Sequence, residues 1–187
     1  MTADEIVAAI APAVPGATYV ALASFDAAVT PTIGVPREQI VQTCRALQAP
    51  GLEFVAFSDV TAVDYHPNRL PRFDLVYHLV SPHRRARVRL KVGINAQEAV
   101  ETLSTLYPGA GWPEREIYDL FGIVFDGHAD LRRLMMPDDW EGHPLRKDYP
   151  VQLRKDAQTY MPLQVTEEEF RANMERDRFQ RGSVKPQ

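Results

Sequence analysis

Residues 73–92, FDLVYHLVSPHRRARVRLKV, decide the fold. In residues 73–80, apolar side chains occur at both odd and even positions, so both faces of the strand would be partly apolar. This pattern predicts a strand in the centre of a sheet. Residues 86–92 alternate strictly, so that Val88 and Leu90 point to one face. The polar turn between the two runs favours antiparallel pairing. This stretch therefore predicts two neighbouring antiparallel strands, the second of which is basic on one face.

The basic face of that second strand consists of Arg85, Arg87, Arg89 and Lys91. A row of this kind suits an acidic partner or a nucleic-acid backbone, and an RNA-binding domain would show steeply salt-dependent binding. A solvated sheet face with acidic residues on the neighbouring strands is the more common explanation, and we favour it here. The net charge of -4 and the pI near 5.7 argue against nucleic acid as the main partner.

The first third of the chain alternates between helical and strand-like patterns. Thr2 and Glu5 have the spacing of a capping box, which predicts an amphipathic helix over residues 2–13. Residues 18–25 and 32–35 are typical of strands separated by a turn. The chain therefore enters the sheet soon after its first helix.

A second helix is predicted after Pro36, which suits a first helical turn, and Gly51 lies beyond its end. Cys44 falls on the apolar face of this helix, so we expect it to be a small core residue. Residues 53–57 then predict the strand that precedes the central pair.

Downstream of the central pair, Asn95 and Glu98 again have capping-box spacing. Apolar residues follow at helical intervals, which predicts a helix that ends at Pro108. The order of helix, strands, helix, three strands and helices predicts an α+β fold, in which a mixed, largely antiparallel sheet is covered by helices.

The next helix is strongly indicated over residues 114–121. Pro113 fits its first turn and Gly122 ends it. Arg115 and Asp119 lie one turn apart on this helix, so we expect them to form an ion pair on its surface.

The domain organisation follows from these elements. Residues 1–125 form the α+β core, 126–150 form an extended segment with few periodic signals, and 151–187 form a polar tail. A long irregular segment rich in aromatic residues is usually functional and ordered by contact. In the tail, a capping box and trailing arginines predict a helix over 167–181.

Composition limits the function. The 187 residues are 45% hydrophobic and 25% charged, which is typical of a soluble globular protein. The single cysteine excludes a disulfide framework and a thiolate-ligated zinc or iron–sulfur site. No apolar run approaches the ~20 residues of a transmembrane helix, and the basic start of a signal peptide is missing. A reducing cytoplasm is the expected compartment.

The segment from Trp112 to Pro150 is the candidate functional region. Residues 111–150 contain 5 Lys and Arg against 9 Asp and Glu, so the whole net charge of -4 lies there. Neither GxSxG nor a phosphate-binding glycine loop occurs in the chain. Asp138, Asp139 and His143 suggest a small metal-dependent hydrolase as an alternative, although their spacing fits no known metal template. Aromatic residues and arginines instead favour a protein–protein interface.

Two runs in this segment resemble a known family. Glu114-Arg115-Glu116, Asp119-Leu120-Phe121, His128, Arg132 and Leu134 have the spacing of one signature, and GHPLRKDYP over residues 142–150 is similar to a second. Both are typical of the 30 kDa subunit family of respiratory complex I, which includes the C subunit of bacterial NADH-quinone oxidoreductase. Weaker similarity extends upstream, so the resemblance covers roughly residues 54–150.

The resemblance implies a structural, cofactor-free subunit in the hydrophilic arm of a proton-pumping NADH:quinone oxidoreductase. It implies docking on the quinone-site and iron–sulfur subunits, with FMN, the iron–sulfur clusters and quinone held by partner chains. It also implies a peripheral position on the cytoplasmic face of the bacterial inner membrane, without nucleic acid. The equivalent subunit of a membrane-bound hydrogenase or another complex I-like dehydrogenase is the alternative.

No catalytic, cofactor-binding or metal-binding residue is expected on this chain. The resemblance instead marks a set of signature residues as the partner interface. They are Glu114, Arg115, Glu116, Asp119, Phe121, Gly122, His128, Arg132, Arg133, Pro137, Trp140, Gly142, His143, Pro144, Leu145, Arg146, Lys147, Asp148 and Tyr149.

Overall fold

The computed structural model is built on a five-stranded sheet with the strand order β1-β2-β5-β4-β3. The strands are β1 Val20–Leu22, β2 Thr32–Gly34, β3 Ala56–Asp64, β4 Phe73–Ser81 and β5 Ala86–Ile94. All neighbours pair antiparallel except β2 and β5, which are parallel. The predicted α+β class with a mixed, largely antiparallel sheet is confirmed.

The structure describes residues 2–14, 20–22 and 30–150, together with Glu168 and Arg171. The chain divides into two units, Met1–Pro150 and Val151–Gln187. In the second unit, Glu168 and Arg171 are helical and exposed. The rest of the helix predicted over 167–181 lies outside the described residues, as do the flanks of the strand predicted over 18–25.

Three helices accompany the sheet: α1 Ala3–Ile10, α2 Ile40–Gln48 and α3 Gly111–Phe121. The capping box of α1 is confirmed, because the Glu5 N–H donates to the Thr2 hydroxyl at 3.2 Å and the Thr2 N–H donates to the Glu5 carboxylate at 2.8 Å. In α2, Cys44 is fully buried as expected, and burial raises the pKa of its thiol.

The hydrophobic core lies on one face of the sheet. On β4 and β5 the inward residues alternate with outward ones, so that Leu75, Tyr77, Val88 and Leu90 are fully buried. All three helices contribute to the same cluster, with Ile6, Ile10, Ile40, Leu47 and Ile117 among their buried residues. Truncating one such side chain to alanine costs roughly 2–5 kcal/mol.

The opposite face of β5 carries its basic residues, as the alternation predicts. On the neighbouring β4, the residues opposite Arg87, Arg89 and Lys91 are Val80, His78 and Val76. The acidic cross-strand neighbours that we expected for a solvated basic face therefore do not occupy the paired positions on β4.

The helix predicted between Asn95 and Pro108 does not form, and this prediction is wrong. The Asn95 N–H does donate to the Glu98 carboxylate at 2.7 Å, so the capping contact exists without the helix. Residues Val100–Glu101 instead form β6, which pairs in parallel with β7 at Phe125–Asp126. The pairing of β6 with β7 overrides the local helical pattern, because the backbone N–H and C=O groups of these residues form hydrogen bonds with a strand that is distant in sequence. Local propensity carries no information about such a partner.

The strand predicted at 53–57 begins later and runs longer, since β3 pairs with β4 along Ala56–Asp64. Its polar outward residues hid this strand from the sequence pattern. From β7 to Pro150 the described chain is irregular, and 126–150 lies in the same unit as the sheet. None of the helices among the described residues has the length and apolar character that a membrane crossing requires.

Candidate functional site

Helix α3 is the foundation of the candidate segment. Its sequence GWPEREIYDLF buries two carboxylates, Glu114 and Asp119, whose residues are 0% exposed. Buried carboxylates need hydrogen-bond partners, because an isolated ion in an apolar interior is strongly unfavourable. The two residues meet this need differently, and each one holds a different loop.

Glu114 holds the turn that follows β6. Its Oε1 accepts the Leu103 N–H at 2.8 Å, and its Oε2 accepts the Thr102 hydroxyl. Burial raises the pKa of Glu114, although these hydrogen bonds act in the opposite direction. Desolvation therefore outweighs the hydrogen bonds, and the pKa of Glu114 lies above its ordinary value.

His128 lies beside Glu114, with 3.9 Å between its Nε2 and the Glu114 Oε2. The Asp130 N–H donates to Nδ1 at 3.1 Å, so the other ring nitrogen carries the proton. Nε2 therefore donates to the carbonyl oxygen of Gly111 at the start of α3, with 3.0 Å between the nitrogen and the oxygen. His128 thus joins the loop after β7 to the first residue of the helix.

Asp119 holds the irregular segment. Its Oδ2 accepts three successive backbone N–H groups, those of Leu134 at 2.9 Å, Met135 at 2.6 Å and Met136 at 2.8 Å. Its Oδ1 accepts from Arg133 at 2.7 Å. Burial by itself would raise the pKa of Asp119, but these four donors outweigh burial and lower it. Asp119 is therefore a buried anion at neutral pH.

Arg133, and not Arg115, is the cationic partner of Asp119, so the expected surface pair between Arg115 and Asp119 is wrong. Arg133 also donates to the carbonyl oxygens of Trp140 at 2.7 Å and Gly142 at 3.0 Å. Arg115 donates to the carbonyl of Arg133 at 3.0 Å, and its guanidinium lies 5.0 Å from the Trp112 ring. The one-turn spacing permits a pair between Arg115 and Asp119. The loop after β7 instead folds back against α3 and brings Arg133 to the Asp119 carboxylate.

The run His143–Arg146 completes the C-terminal end of α3. The last carbonyls of a helix have no partners within it. Here the Asp119 carbonyl receives His143 Nδ1 at 2.9 Å, the Leu120 carbonyl receives the Leu145 N–H at 3.0 Å, and the Phe121 and Gly122 carbonyls receive the Arg146 guanidinium. A cation at this end also complements the helix dipole.

Two glycines make this packing possible. Gly122 has a left-handed φ of 72°, and a Cβ there would lie 2.4 Å from the His143 ring. Gly142 has a φ of 79°, and its Cβ would lie 2.7 Å from the Tyr149 ring. Only glycine adopts this backbone conformation without strain, so both residues are required by the path of the segment.

Arg72 connects the far end of the segment to the sheet. It makes two hydrogen bonds to Asp64 at the end of β3, at 3.0 and 2.8 Å, and two to Asp148, at 3.0 and 2.6 Å. The Lys147 N–H also donates to Asp64 at 2.9 Å. Burial would raise the pKa of Asp64, but Arg72 and two backbone N–H groups lower it to about 2.

Sequence reasoning missed Asp64 and Arg72. Asp148 belongs to a recognised run, but it lies 76 positions from Arg72. The only signal was the weaker family similarity upstream of the segment, which includes the run Val63-Asp64-Tyr65. Contacts of this range have no periodicity, so a single sequence cannot supply them.

Three large apolar side chains of the segment are exposed to solvent. Trp112 is 62% exposed, Met135 65% and Leu145 49%. Asp138, Asp139 and Glu141 of the same segment are also exposed. Large exposed apolar side chains are typical of a surface that binds another protein.

The structure brings most of the signature residues together, but many of them point inward. Asp119, His128, Arg133, His143 and Arg146 bond within the segment or to α3, and Glu114 bonds to the turn after β6. Glu116, Arg132, Pro137 and Lys147 are exposed. Their contact with a partner stays a prediction. In the described part of the chain, no group of three or more His, Cys, Asp or Glu residues is placed to hold a metal ion.

Comparison with known proteins identifies relatives of this arrangement. Residues 33–155 match the family described as respiratory-chain NADH dehydrogenase, 30 Kd subunit. The chain is 49% identical over 122 residues to the C subunit of NADH-quinone oxidoreductase from Geobacter sulfurreducens, covering 65% of this chain and 75% of that protein. It is 43% identical over 146 residues to the corresponding protein of Rhodopseudomonas palustris, covering 73% and 71%.

Two solved structures share the fold. The trypsin-resistant fragment (1-134) of Nqo5 superposes with a TM-score of 0.56 at 28% identity, covering 70% of this chain and 100% of the fragment. A chain of the membrane-bound sulfane sulfur reductase, an archaeal respiratory membrane complex, superposes with a TM-score of 0.65 at 25% identity, covering 88% and 94%.

Proposed function

The chain belongs to the family of the 30 Kd subunit of respiratory-chain NADH dehydrogenase, and from this membership we propose that it is a connecting subunit in the hydrophilic arm of a proton-pumping NADH:quinone oxidoreductase. Its relatives are subunits of that enzyme, so the activity belongs to the complex. The part of this chain is to join the subunits that bind quinone and the iron–sulfur clusters, at the cytoplasmic face of the membrane.

One observation carries this proposal, namely that the segment from Trp112 to Pro150 is folded in advance around buried charges. Asp119 and Arg133 fix residues 133–142, and Arg146 fixes the end of α3. A segment already held in one conformation loses little entropy when it docks. Exposed Trp112 and Met135 then provide apolar anchors of the kind that dominate binding energy.

We assign the redox groups to partner chains. Iron–sulfur clusters require several thiolates, and this sequence has one cysteine, which is buried in α2. The two histidines of the segment, His128 and His143, each have a ring nitrogen bonded to a backbone carbonyl. Their role is therefore structural, and electron transfer and proton pumping belong to other subunits.

Purification of the complex through a tagged copy of this chain tests the proposal. From a cell that expresses it, the tag should recover NADH:quinone reductase activity together with iron–sulfur subunits. The double variant Trp112→Ser/Met135→Ser should recover roughly tenfold less, because it removes two interface anchors. Val55→Ser, which changes another exposed apolar residue outside the segment, is the matched control. Recovery of a free chain without reductase activity would refute the proposal.

The similarity to the sulfane sulfur reductase chain favours one alternative, a related complex with a different electron donor or acceptor. The choice of donor lies outside this chain, so the same purification decides it. Quinone reduction supported by NADH identifies the first complex, and reduction that requires another donor identifies the second.

A further inference from the structure

The end of the β4–β5 hairpin presents a basic cluster that the segment from Trp112 to Pro150 does not use. Arg84 and Arg85 lie in its turn and Arg87 follows on β5, and all three are exposed. Within the described residues, their side chains make no ion pair or hydrogen bond. We call these three residues the basic hairpin.

Among the described residues, the cross-strand neighbours of the basic hairpin on β4 and β3 do not neutralise it. Across the sheet from Arg87 lie Val80 on β4 and then Ala56 on β3, neither of which carries a charge. The basic side of β5 continues through Arg89, whose Nη1 lies 3.4 Å from the Thr32 hydroxyl. The protein as a whole is acidic, so this local excess of positive charge runs against its composition.

The backbone of the turn adds a second observation. Arg85 has a φ of 49°, in the left-handed region that favours glycine or asparagine. An arginine at this position is less favourable for the turn than glycine, so the backbone of the turn does not itself require this side chain. Residues held in such conformations are often associated with binding sites.

The chemistry of the three side chains also defines the kind of ligand. Arg84 and Arg85 lie in the turn and Arg87 lies at the start of β5, so three guanidinium groups are exposed at one end of the hairpin. A guanidinium group pairs with a carboxylate through two parallel hydrogen bonds, so a segment that carries several carboxylates matches this surface.

We propose that the basic hairpin is a second docking surface, which binds a carboxylate-rich segment of another subunit of the complex. The inference rests on the proposed function, because it requires a multi-subunit assembly. A lipid surface fits less well, since stable binding to anionic lipid generally uses four to eight basic residues, and no large apolar residue of the hairpin is exposed for insertion. Nucleic acid fits poorly with the net charge of -4.

Charge reversal tests the proposal in the assembled complex. Arg84→Glu and Arg87→Glu should each weaken retention of the tagged chain roughly tenfold, and should lower the salt concentration at which it dissociates, because an attraction becomes a repulsion. Arg45→Glu, an equal change of charge at an exposed position of α2, should not alter retention.

Arg85→Gly separates binding from folding. It removes a cation and relieves the left-handed backbone, so it should maintain or raise the melting temperature while weakening retention about threefold. If the wild-type chain is not retained at all, the proposed function itself is wrong. If the wild type is retained and the hairpin variants are retained equally at every salt concentration, only the present inference is overturned.

Crosslinking identifies the partner. In the variant Arg84→Lys/Arg87→Lys, a carbodiimide joins a lysine amine to a nearby carboxylate as an amide and is itself converted to the urea. Crosslinks from these lysines to Asp or Glu residues of another subunit support the proposal. Crosslinks confined to this chain overturn it. Binding of the purified chain to anionic vesicles or to single-stranded RNA that is lost in Arg84→Glu also overturns it, in favour of that ligand.

Discussion

Replacing Asp119 with asparagine should release the segment from Arg133 to Gly142 while leaving the sheet intact. The carboxylate accepts one guanidinium hydrogen bond and three backbone N–H groups in a fully buried position. Asparagine has one oxygen, and its amide group would face donors that need an acceptor. The substitution also leaves the Arg133 charge without its buried counterion.

The magnitude follows from the contacts. Removing one member of a buried ion pair costs about 3–5 kcal/mol, and a hydrogen bond to a charged group contributes about 1.5–3 kcal/mol. We take about 3 kcal/mol as the minimum for Asp119→Asn. Since every 1.4 kcal/mol corresponds to a factor of ten, the segment should open at least about 100-fold more often.

Hydrogen exchange measured on the isolated chain reports this opening directly. The amides of Leu134, Met135 and Met136 should exchange at least about 100-fold faster in Asp119→Asn, while amides of β4 change little. Glu116→Gln removes an equal charge from an exposed position of the same helix and should exchange like the wild type. Exchange of the three amides within about threefold of the wild-type rate would refute the view that Asp119 holds the segment.

The remaining predictions concern pH and backbone conformation. Because the pKa of Glu114 is raised, ionisation of this side chain destabilises the folded state. The free energy of unfolding of Glu114→Gln, measured with denaturant, should therefore increase relative to that of the wild type as the pH rises above 4.5. Arg72 and two backbone N–H groups lower the pKa of Asp64 from 3.8 to about 2. Ionised Asp64 therefore contributes about 2 kcal/mol to the free energy of unfolding above pH 3.8, and this contribution is lost as the pH falls through about 2. In thermal melts, Asp64→Asn should lack this acid-dependent loss of stability. Gly122→Ala should cost about 2 kcal/mol or more because of its left-handed φ and the His143 ring. Gly109→Ala, where a Cβ meets nothing within 4 Å, should change stability by less than about 0.5 kcal/mol. Equal melting temperatures for the two glycine variants would contradict the packing of His143 on Gly122.

Glu114 and Asp119 of α3 show that a sequence pattern can predict a helix correctly without revealing the contacts of its carboxylates. The sequence predicted the helix and its end at Gly122, since Pro113, the apolar spacing and the glycine all act within a few residues. It placed Asp119 on the outer surface of the helix. Glu114 and Asp119 are both buried instead, because loops from other parts of the chain return to them.

The signature run GHPLRKDYP is a similar case. Its recognition indicated the family correctly, and the comparisons confirm that membership. Its residues were expected at a partner interface, and that expectation stays a prediction. The structure adds an internal role, in which His143, Leu145 and Arg146 provide partners for the terminal carbonyls of α3. A run can therefore be diagnostic of a family because it closes the fold, whether or not it also touches a partner.

The sequence by itself determined the elements that depend on near neighbours. These are the alternation of β4 and β5, the capping box of Thr2 and Glu5, the buried Cys44 and the stop at Gly122. Tertiary structure alone decided that residues after Asn95 form β6 instead of a helix, that Asp119 pairs with Arg133, and that Arg72 joins Asp64 to Asp148. The reason is physical: local patterns set backbone preferences over one or two turns, whereas buried backbone and charged groups take whichever partners the folded chain brings to them.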